Sequence, residues 1–75
     1  MLGEDISTAL SLRIRQRADH DGLPADHPLR LLAIDFNDAT KGFYGSPQTV
    51  TVAQFVGCWA RLRRAWCDYS GEELV

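Results

Sequence analysis

The side chains best suited to bind a metal or move a proton lie in one short polar segment. Asp19, His20 and Asp21 are followed, after a short gap, by Asp26 and His27. Imidazole nitrogens and carboxylate oxygens are zinc ligands, and a His–Asp pair can also act as a general base. The spacing selects no ligand set, and the sequence places no nucleophile or oxyanion donor beside the pair. We therefore expect a solvated loop, with a metal site as the open alternative, and predict no cofactor, no catalytic residue and no enzyme.

A cluster of arginines lies between two tryptophans and has the chemistry to contact phosphates. Arg61, Arg63 and Arg64 lie between Trp59 and Trp66. Arginine binds phosphate and aromatic rings stack on bases, as in many nucleic-acid-binding proteins. On a helix these arginines would spread around the axis, with both tryptophans on the apolar side. Nucleic-acid binding through this cluster is therefore our alternative function, and a solvated helix face or an acidic protein partner explains the same residues.

Two cysteines are the only thiols in the chain. Cys58 and Cys67 are nine residues apart, which on one helix places them about 180° apart around the axis and roughly 13 Å apart along it. A disulfide needs Cα atoms within about 7 Å, so the two cannot pair inside that helix. We expect both to be small packing residues, and their reactivity is left open.

Length and composition limit the fold to one small domain. The chain has 75 residues, and its 45% of hydrophobic residues argues against a wholly disordered protein. The net charge of −2 gives no bulk attraction to nucleic acid or anionic lipid. No apolar run is long enough for a membrane span, and the first residues lack the pattern of a signal peptide. We expect a cytoplasmic protein that forms a single domain over residues 1–75 and has no membrane partner.

Apolar residues at helical spacing predict three helices, over about 4–18, 28–43 and 52–69. Pro28 suits the first helical position of the second helix, after a cap at Asp26 or His27. In the first helix the predicted apolar stripe is narrow and consists of Leu2, Ile6, Ala9, Leu10 and Ile14.

The second helix carries apolar residues on two opposite sides. Leu31 and Ile34 lie opposite its main stripe, which consists of Leu29, Leu32, Ala33, Phe36, Thr40 and Phe43. In a plain bundle of three helices, the middle helix meets its neighbours on adjacent faces. Leu31 and Ile34 are therefore surplus to the core of a monomer.

The third helix has the clearest start signal in the chain. Thr51 followed by Gln54 predicts a capping box, and Val50 with Phe55 suits a hydrophobic staple. From there an apolar stripe continues to the end of the helix through Val52, Phe55, Val56, Trp59, Leu62, Trp66 and Tyr69. Gly71 ends the helix, and residues 72–75 are predicted to be a frayed tail.

These elements predict an all-α fold, a small three-helix bundle with the second helix between the others, as a compact monomer or an intertwined dimer. The first helix offers few apolar residues to cover the aromatic side of the third. Part of the apolar surface is therefore expected to meet another protein or a second copy of the chain. The predicted partner-binding residues are Leu31, Ile34, Trp59, Trp66 and Tyr69.

The leading functional hypothesis is a small non-enzymatic interaction module: an accessory subunit, adaptor or inhibitor that docks through an apolar helical face. The alternative is the nucleic-acid binding described above. The profile of a short, arginine-biased helical chain without a catalytic motif is similar to that of accessory, antitoxin-like or phage-encoded small proteins of bacteria. That similarity lies in general character and not in any motif, so it implies no role for a particular residue.

Overall fold

The chain folds into three helices joined by two loops. A computed structural model describes the backbone of residues 2–74 and the side chains of residues 6–74. Helix α1 spans Leu2–His20, α2 spans Pro28–Tyr44 and α3 spans Val52–Ser70. The predicted all-α, three-helix fold is confirmed, and each predicted helix ends within two residues of its observed boundary. The described residues contain no strand, and no helix among them is long and apolar enough to cross a membrane.

The helix ends follow from local side-chain chemistry. The hydroxyl of Thr51 accepts a hydrogen bond from the backbone N–H of Gln54 at 3.1 Å, and the Gln54 side chain accepts one from Thr51 N at 2.9 Å. The predicted capping box is thus confirmed. At the start of α2 the cap is His27, whose Nδ1 accepts from Leu29 N at 3.1 Å. Gly71 ends α3 with φ at +73°, a left-handed conformation that favours glycine.

The middle helix α2 packs against both of its neighbours, as the sequence predicts. Two contacts define the antiparallel register of α1 and α2: the Ser7 hydroxyl donates to Thr40 Oγ1 at 2.9 Å, and Arg30 pairs with Asp19 at 2.8 Å. The core lies along α2 and consists of Ile14, Leu29, Ala33, Phe36, Leu62, Trp66 and Leu74. The main stripe predicted for α2 supplies three of these residues, because its spacing matches the helical repeat.

The buried face of α1 differs from the prediction. Ile14 is fully buried and Leu10 packs against the core, but Ile6 is 58% exposed and Ala9 is exposed. The side chain of Leu2 lies outside the described residues. Ser7 is only 2% exposed. It follows Ile6 directly and lies about 100° from it around the helix axis. The prediction was wrong because α1 approaches α2 through small side chains, where a paired hydroxyl is buried at little cost.

Only part of the stripe predicted for α3 is buried. Leu62 and Trp66 are buried, and Phe55 stacks on Phe43 with 4.7 Å between ring centroids. Val52 and Val56, at the start of the helix, are 60% and 53% exposed. These two valines extend the predicted stripe beyond the part of α3 that is buried.

The C-terminal tail folds back onto the core. Leu74 is 1% exposed and belongs to the core cluster, and its carbonyl accepts a hydrogen bond from Arg13 Nη1 at 2.9 Å. The Ser70 hydroxyl accepts from the backbone N–H of Glu72 at 3.1 Å and helps to turn the chain. The prediction of a frayed tail was therefore wrong for residues 72–74. Val75 lies outside the described residues. A single leucine gives no periodic signal, so its burial could not be read from spacing.

Candidate interaction surface

A groove lies between α1 and α2. Its volume is about 660 Å³, and its apolar lining consists of Leu12, Ile14, Ala25, Ala33 and Ile34. We call this feature the α1–α2 groove.

Large apolar side chains remain exposed at this groove. Leu12 is 49% exposed and Ile34 is 55% exposed, although both line it. Leu31, three residues before Ile34 and on the same outer side of α2, is 46% exposed. Leu31 and Ile34 are thus exposed, as the predicted partner-binding role requires, and the binding itself stays a prediction. Sequence reasoning missed Leu12, because its position beside Ile34 depends on the rotation of α1.

Among the residues whose side chains are described, the charged ones that line the α1–α2 groove are all basic: Arg15, Arg30 and Lys41. Arg30 is held in place, since it pairs with Asp19 at 2.8 Å and donates twice to the carbonyl of Leu23. Arg15 and Lys41 form no ion pair with any of the described side chains. The described charges at the groove are therefore positive, although the whole chain has a net charge of −2.

The predicted aromatic contact residues lie elsewhere. Trp66 is 1% exposed, so its ring is not available to a partner and its prediction as a contact residue is corrected. The guanidinium of Arg13 lies 5.3 Å from the centre of the Trp66 ring, and that of Arg17 lies 5.7 Å from the centre of the Tyr69 ring. Arginine stems can cover aromatic rings as apolar residues do. Although the apolar stripe of α1 is narrow, these two arginine side chains cover part of the aromatic side of α3.

Trp59 and Tyr69 are both partly buried. Trp59 packs on Phe36, with 5.4 Å between ring centroids. Tyr69 meets the His27 ring edge to face at 5.9 Å, and its hydroxyl donates to Asp21. Both residues therefore stabilise the fold, and their role as partner contacts stays a prediction that no contact in the structure favours.

The polar segment that was expected to be a solvated loop, with a metal site as the open alternative, ties the end of α1 to α3. Asp21 accepts hydrogen bonds from Tyr69 and, at 2.8 Å, from Arg17 Nε, while His20 Nδ1 lies 3.0 Å from its other oxygen. These partners, Tyr69 first, hold the pKa of Asp21 well below its ordinary value of 3.8. The same hydrogen bond from Tyr69 raises the pKa of that phenol. Among the described residues no group of three or more histidine, cysteine, aspartate or glutamate side chains could hold a metal.

The Asp21 contacts predict a stability that falls in acid. A carboxylate whose pKa is lowered in the folded state stabilises the fold above its unfolded pKa, and loses that effect as the pH falls toward the folded value. We therefore expect Asp21→Asn to melt several degrees below the parent at pH 7, and the gap to close as the pH falls below about 3.8. Thermal melts from pH 7 to pH 2 measure the gap. The control is Asp26→Asn, which changes an exposed loop carboxylate and should melt at the temperature of the parent. A difference in melting temperature between Asp21→Asn and the parent that does not depend on pH would contradict the assignment.

The arginines predicted to contact nucleic acid stay exposed on α3 but do not converge. Arg61 donates to the Cys58 sulfur at 3.4 Å, and Arg64 lies 4.0 Å from the carboxylate of Asp68. Arg61 also shares a second, more polar groove with Asp35 and Asp38 of α2. Carboxylates beside an arginine oppose a phosphate backbone, so the setting is unfavourable for nucleic acid.

Both cysteines are free thiols in the structure. Cys58 is partly buried and Cys67 is exposed. The prediction that they do not pair with each other is confirmed, and the reason is their separation along α3.

The sequence and the fold were also compared with those of known proteins. No protein-family model, no curated protein and no solved structure matches the chain.

Proposed function

We propose that this protein is a small non-enzymatic interaction module that binds a helical segment of a partner protein in the α1–α2 groove. The partner helix would take the place of a fourth helix, packed against α1 and α2 on the side away from α3. Two antiparallel helices present ridges and grooves that accept a further helix at their seam. The activity is binding alone, and its consequence is to recruit or to block the partner.

The observation that carries the proposal is the exposure of Leu12 and Ile34 on the two walls of one groove. A few exposed apolar residues are normal on any protein, but large ones on facing walls of a concave surface are typical of binding sites. Exposed apolar side chains also occur on α3, at Val52 and Val56, but those two do not line the α1–α2 groove. Leu31 widens the same surface on α2.

A comparison of two double variants tests this surface. Leu12→Asp/Ile34→Asp places charges in the groove, whereas Val52→Asp/Val56→Asp places the same charges on α3, where the two valines are similarly exposed. Each protein is used to capture partners from the source organism, and captured proteins are quantified by mass spectrometry. We expect one protein to be retained equally by the parent and the α3 variant, and about tenfold less by the groove variant. That loss corresponds to roughly 1.4 kcal/mol.

Two outcomes contradict the proposal. Equal retention by the parent and both variants would place the binding surface elsewhere. A parent that light scattering finds to be a dimer, with Leu12→Asp/Ile34→Asp a monomer, would mean that the groove is an interface between copies. Circular dichroism checks that both variants keep the helical content of the parent.

Nucleic-acid binding by Arg61, Arg63 and Arg64 gains no supporting contact. A phosphate-binding surface needs several cations that converge on one strand or groove. Here Asp35, Asp38 and Asp68 lie beside the α3 arginines, which favours a solvated helix face.

A further inference from the structure

We propose that His27 is a pH-sensitive cap of α2, so that mild acid protonates its ring and loosens the first turn of that helix. This device is independent of the binding function proposed above. The contact that carries it is the hydrogen bond from the backbone N–H of Leu29 to Nδ1 of His27, at 3.1 Å. The His27 side chain is the N-cap of α2, and the residue is partly buried.

The cap requires a neutral imidazole ring. Because a backbone N–H can only donate, Nδ1 of His27 accepts and carries no hydrogen. The hydrogen of the neutral ring is therefore on Nε2. A second proton can bind only at Nδ1, where it removes the acceptor. The backbone N–H of Leu29 then loses its partner at the start of the helix, where no preceding turn supplies a carbonyl.

On the side of α3 and α1, the acidic group near the ring of His27 is already engaged. Tyr69 meets that ring edge to face at 5.9 Å, and its hydroxyl donates to Asp21. Asp21 also accepts from Arg17 and lies 3.0 Å from Nδ1 of His20. Among the described residues, His27 forms no ion pair. A protonated His27 ring therefore gains no carboxylate partner from these helices to replace the lost cap.

On the side of α2, the electrostatic environment opposes a positive charge on His27. The N-terminus of a helix is the positive end of its dipole, and cations there are destabilising. Arg30 adds a second cation one turn along the helix. Asp26, which precedes His27 in the chain, is exposed, so solvent screens its attraction. Protonation of His27 is therefore unfavourable in the folded protein and costs stability in mild acid.

The turn that His27 caps connects the core to the loop between α1 and α2. Leu29 is 2% exposed and belongs to the core cluster. Arg30 donates to the carbonyl of Leu23, pairs with Asp19 and lines the α1–α2 groove. Loss of the cap therefore loosens the loop and the end of the groove at which α2 begins.

Thermal melts of the parent and of His27→Asn, from about pH 8 to about pH 5, test the cap, since histidine ordinarily takes up its proton near pH 6.5. Asparagine is a good N-cap that does not titrate. Asp21 keeps its charge over this range, because its pKa lies well below 3.8. We expect the melting temperature of the parent to fall by about 5 °C more than that of His27→Asn. The two falls are compared, because asparagine also removes the ring contact with Tyr69.

His20→Asn is the matched control, because it removes the other histidine of the chain from an exposed position. Nδ1 of His20 lies 3.0 Å from a carboxylate oxygen of Asp21, so a proton on His20 would strengthen that contact in acid. The effect of His20 therefore has the opposite sign. We expect His20→Asn to keep at least the full fall of the parent.

Nuclear magnetic resonance of the ¹⁵N-labelled parent reads the cap without any variant, which matters if His27→Asn does not fold. At about pH 8 we expect the His27 ring to carry its hydrogen on Nε2. On acidification, the backbone amide signal of Leu29 should shift together with the ring signals of His27.

Three results would overturn the proposal. The first is a parent and a His27→Asn variant whose melting temperatures fall in parallel. The second is a parent whose ring hydrogen is on Nδ1, or whose Leu29 amide does not follow the ring of His27. The third is the disappearance of the extra fall in His20→Asn, which would assign the pH dependence to His20.

Discussion

Trp66→Ala is expected to unfold the protein at 25 °C. Trp66 is the largest fully buried side chain, at 1% exposed, and it belongs to the same core cluster as Ile14 of α1 and Leu29 of α2. Replacing a buried tryptophan with alanine costs about 3–5 kcal/mol. A core in a chain below about 70–80 residues rarely supplies more than that in total. Circular dichroism at 222 nm and urea titration measure the loss of helix.

Trp66→Phe is the matched control for that variant. Its smaller ring keeps most of the apolar contact, and it removes an indole N–H that is buried without a hydrogen-bond partner among the described residues. We expect the phenylalanine variant to stay folded with a lower melting temperature. A Trp66→Ala protein that melts within a few degrees of the parent would mean that Trp66 is not buried in solution.

Leu74→Ala is expected to destabilise the fold by about 2–5 kcal/mol, the cost of truncating a buried leucine. For a domain of this size, 2 kcal/mol corresponds to a fall of roughly 10 °C in melting temperature. The reason is the burial of Leu74 in the core, where its backbone carbonyl also accepts from Arg13. Differential scanning calorimetry of the two proteins measures the change.

Glu73→Ala is the control for the tail. Glu73 is exposed and adjacent to Leu74, so its replacement should change the stability by no more than about 0.5 kcal/mol. Equal melting temperatures for the parent and both variants would mean that the tail is frayed, as the sequence alone predicts.

The sequence predicts the parts of the fold that depend on neighbouring residues. The Thr51–Gln54 capping box, the His27 cap before Pro28 and Gly71 at the end of α3 all act within a few residues of the chain. Their boundaries were therefore predicted to within two residues. The main stripe of α2 was also predicted correctly, because α2 is covered on adjacent faces by both neighbours.

The errors all involve contacts between distant parts of the chain. Ser7 is buried only because Thr40 lies opposite and shares its hydrogen bond, and that pairing has no signature in spacing. Arg13 and Arg17 cover the rings of α3 with side chains that a hydropathy pattern counts as polar. A count of apolar residues on α1 consequently overestimated the bare aromatic surface of α3.

Only part of the candidate site could be predicted, because the rest depends on contacts between distant parts of the chain. Leu31 and Ile34 could be found on the outer side of α2 because that helix has two distinct apolar sides. Leu12 could not, because its place on the α1–α2 groove follows from the rotation of α1. The basic lining could not be predicted either, because Arg15 and Lys41 are far apart in sequence and line one groove only as a result of the antiparallel register.

The most direct test of the α1–α2 groove as a docking surface is a nuclear magnetic resonance titration. Uniformly ¹⁵N-labelled protein is titrated with a peptide that carries the helical segment of the captured partner, and amide shifts are followed residue by residue. We predict that the largest changes fall on residues 8–15 of α1 and 30–41 of α2, with the exposed start of α3 around Val52 and Val56 unchanged. Changes centred on α3 would contradict the account, and so would the absence of any change at millimolar peptide.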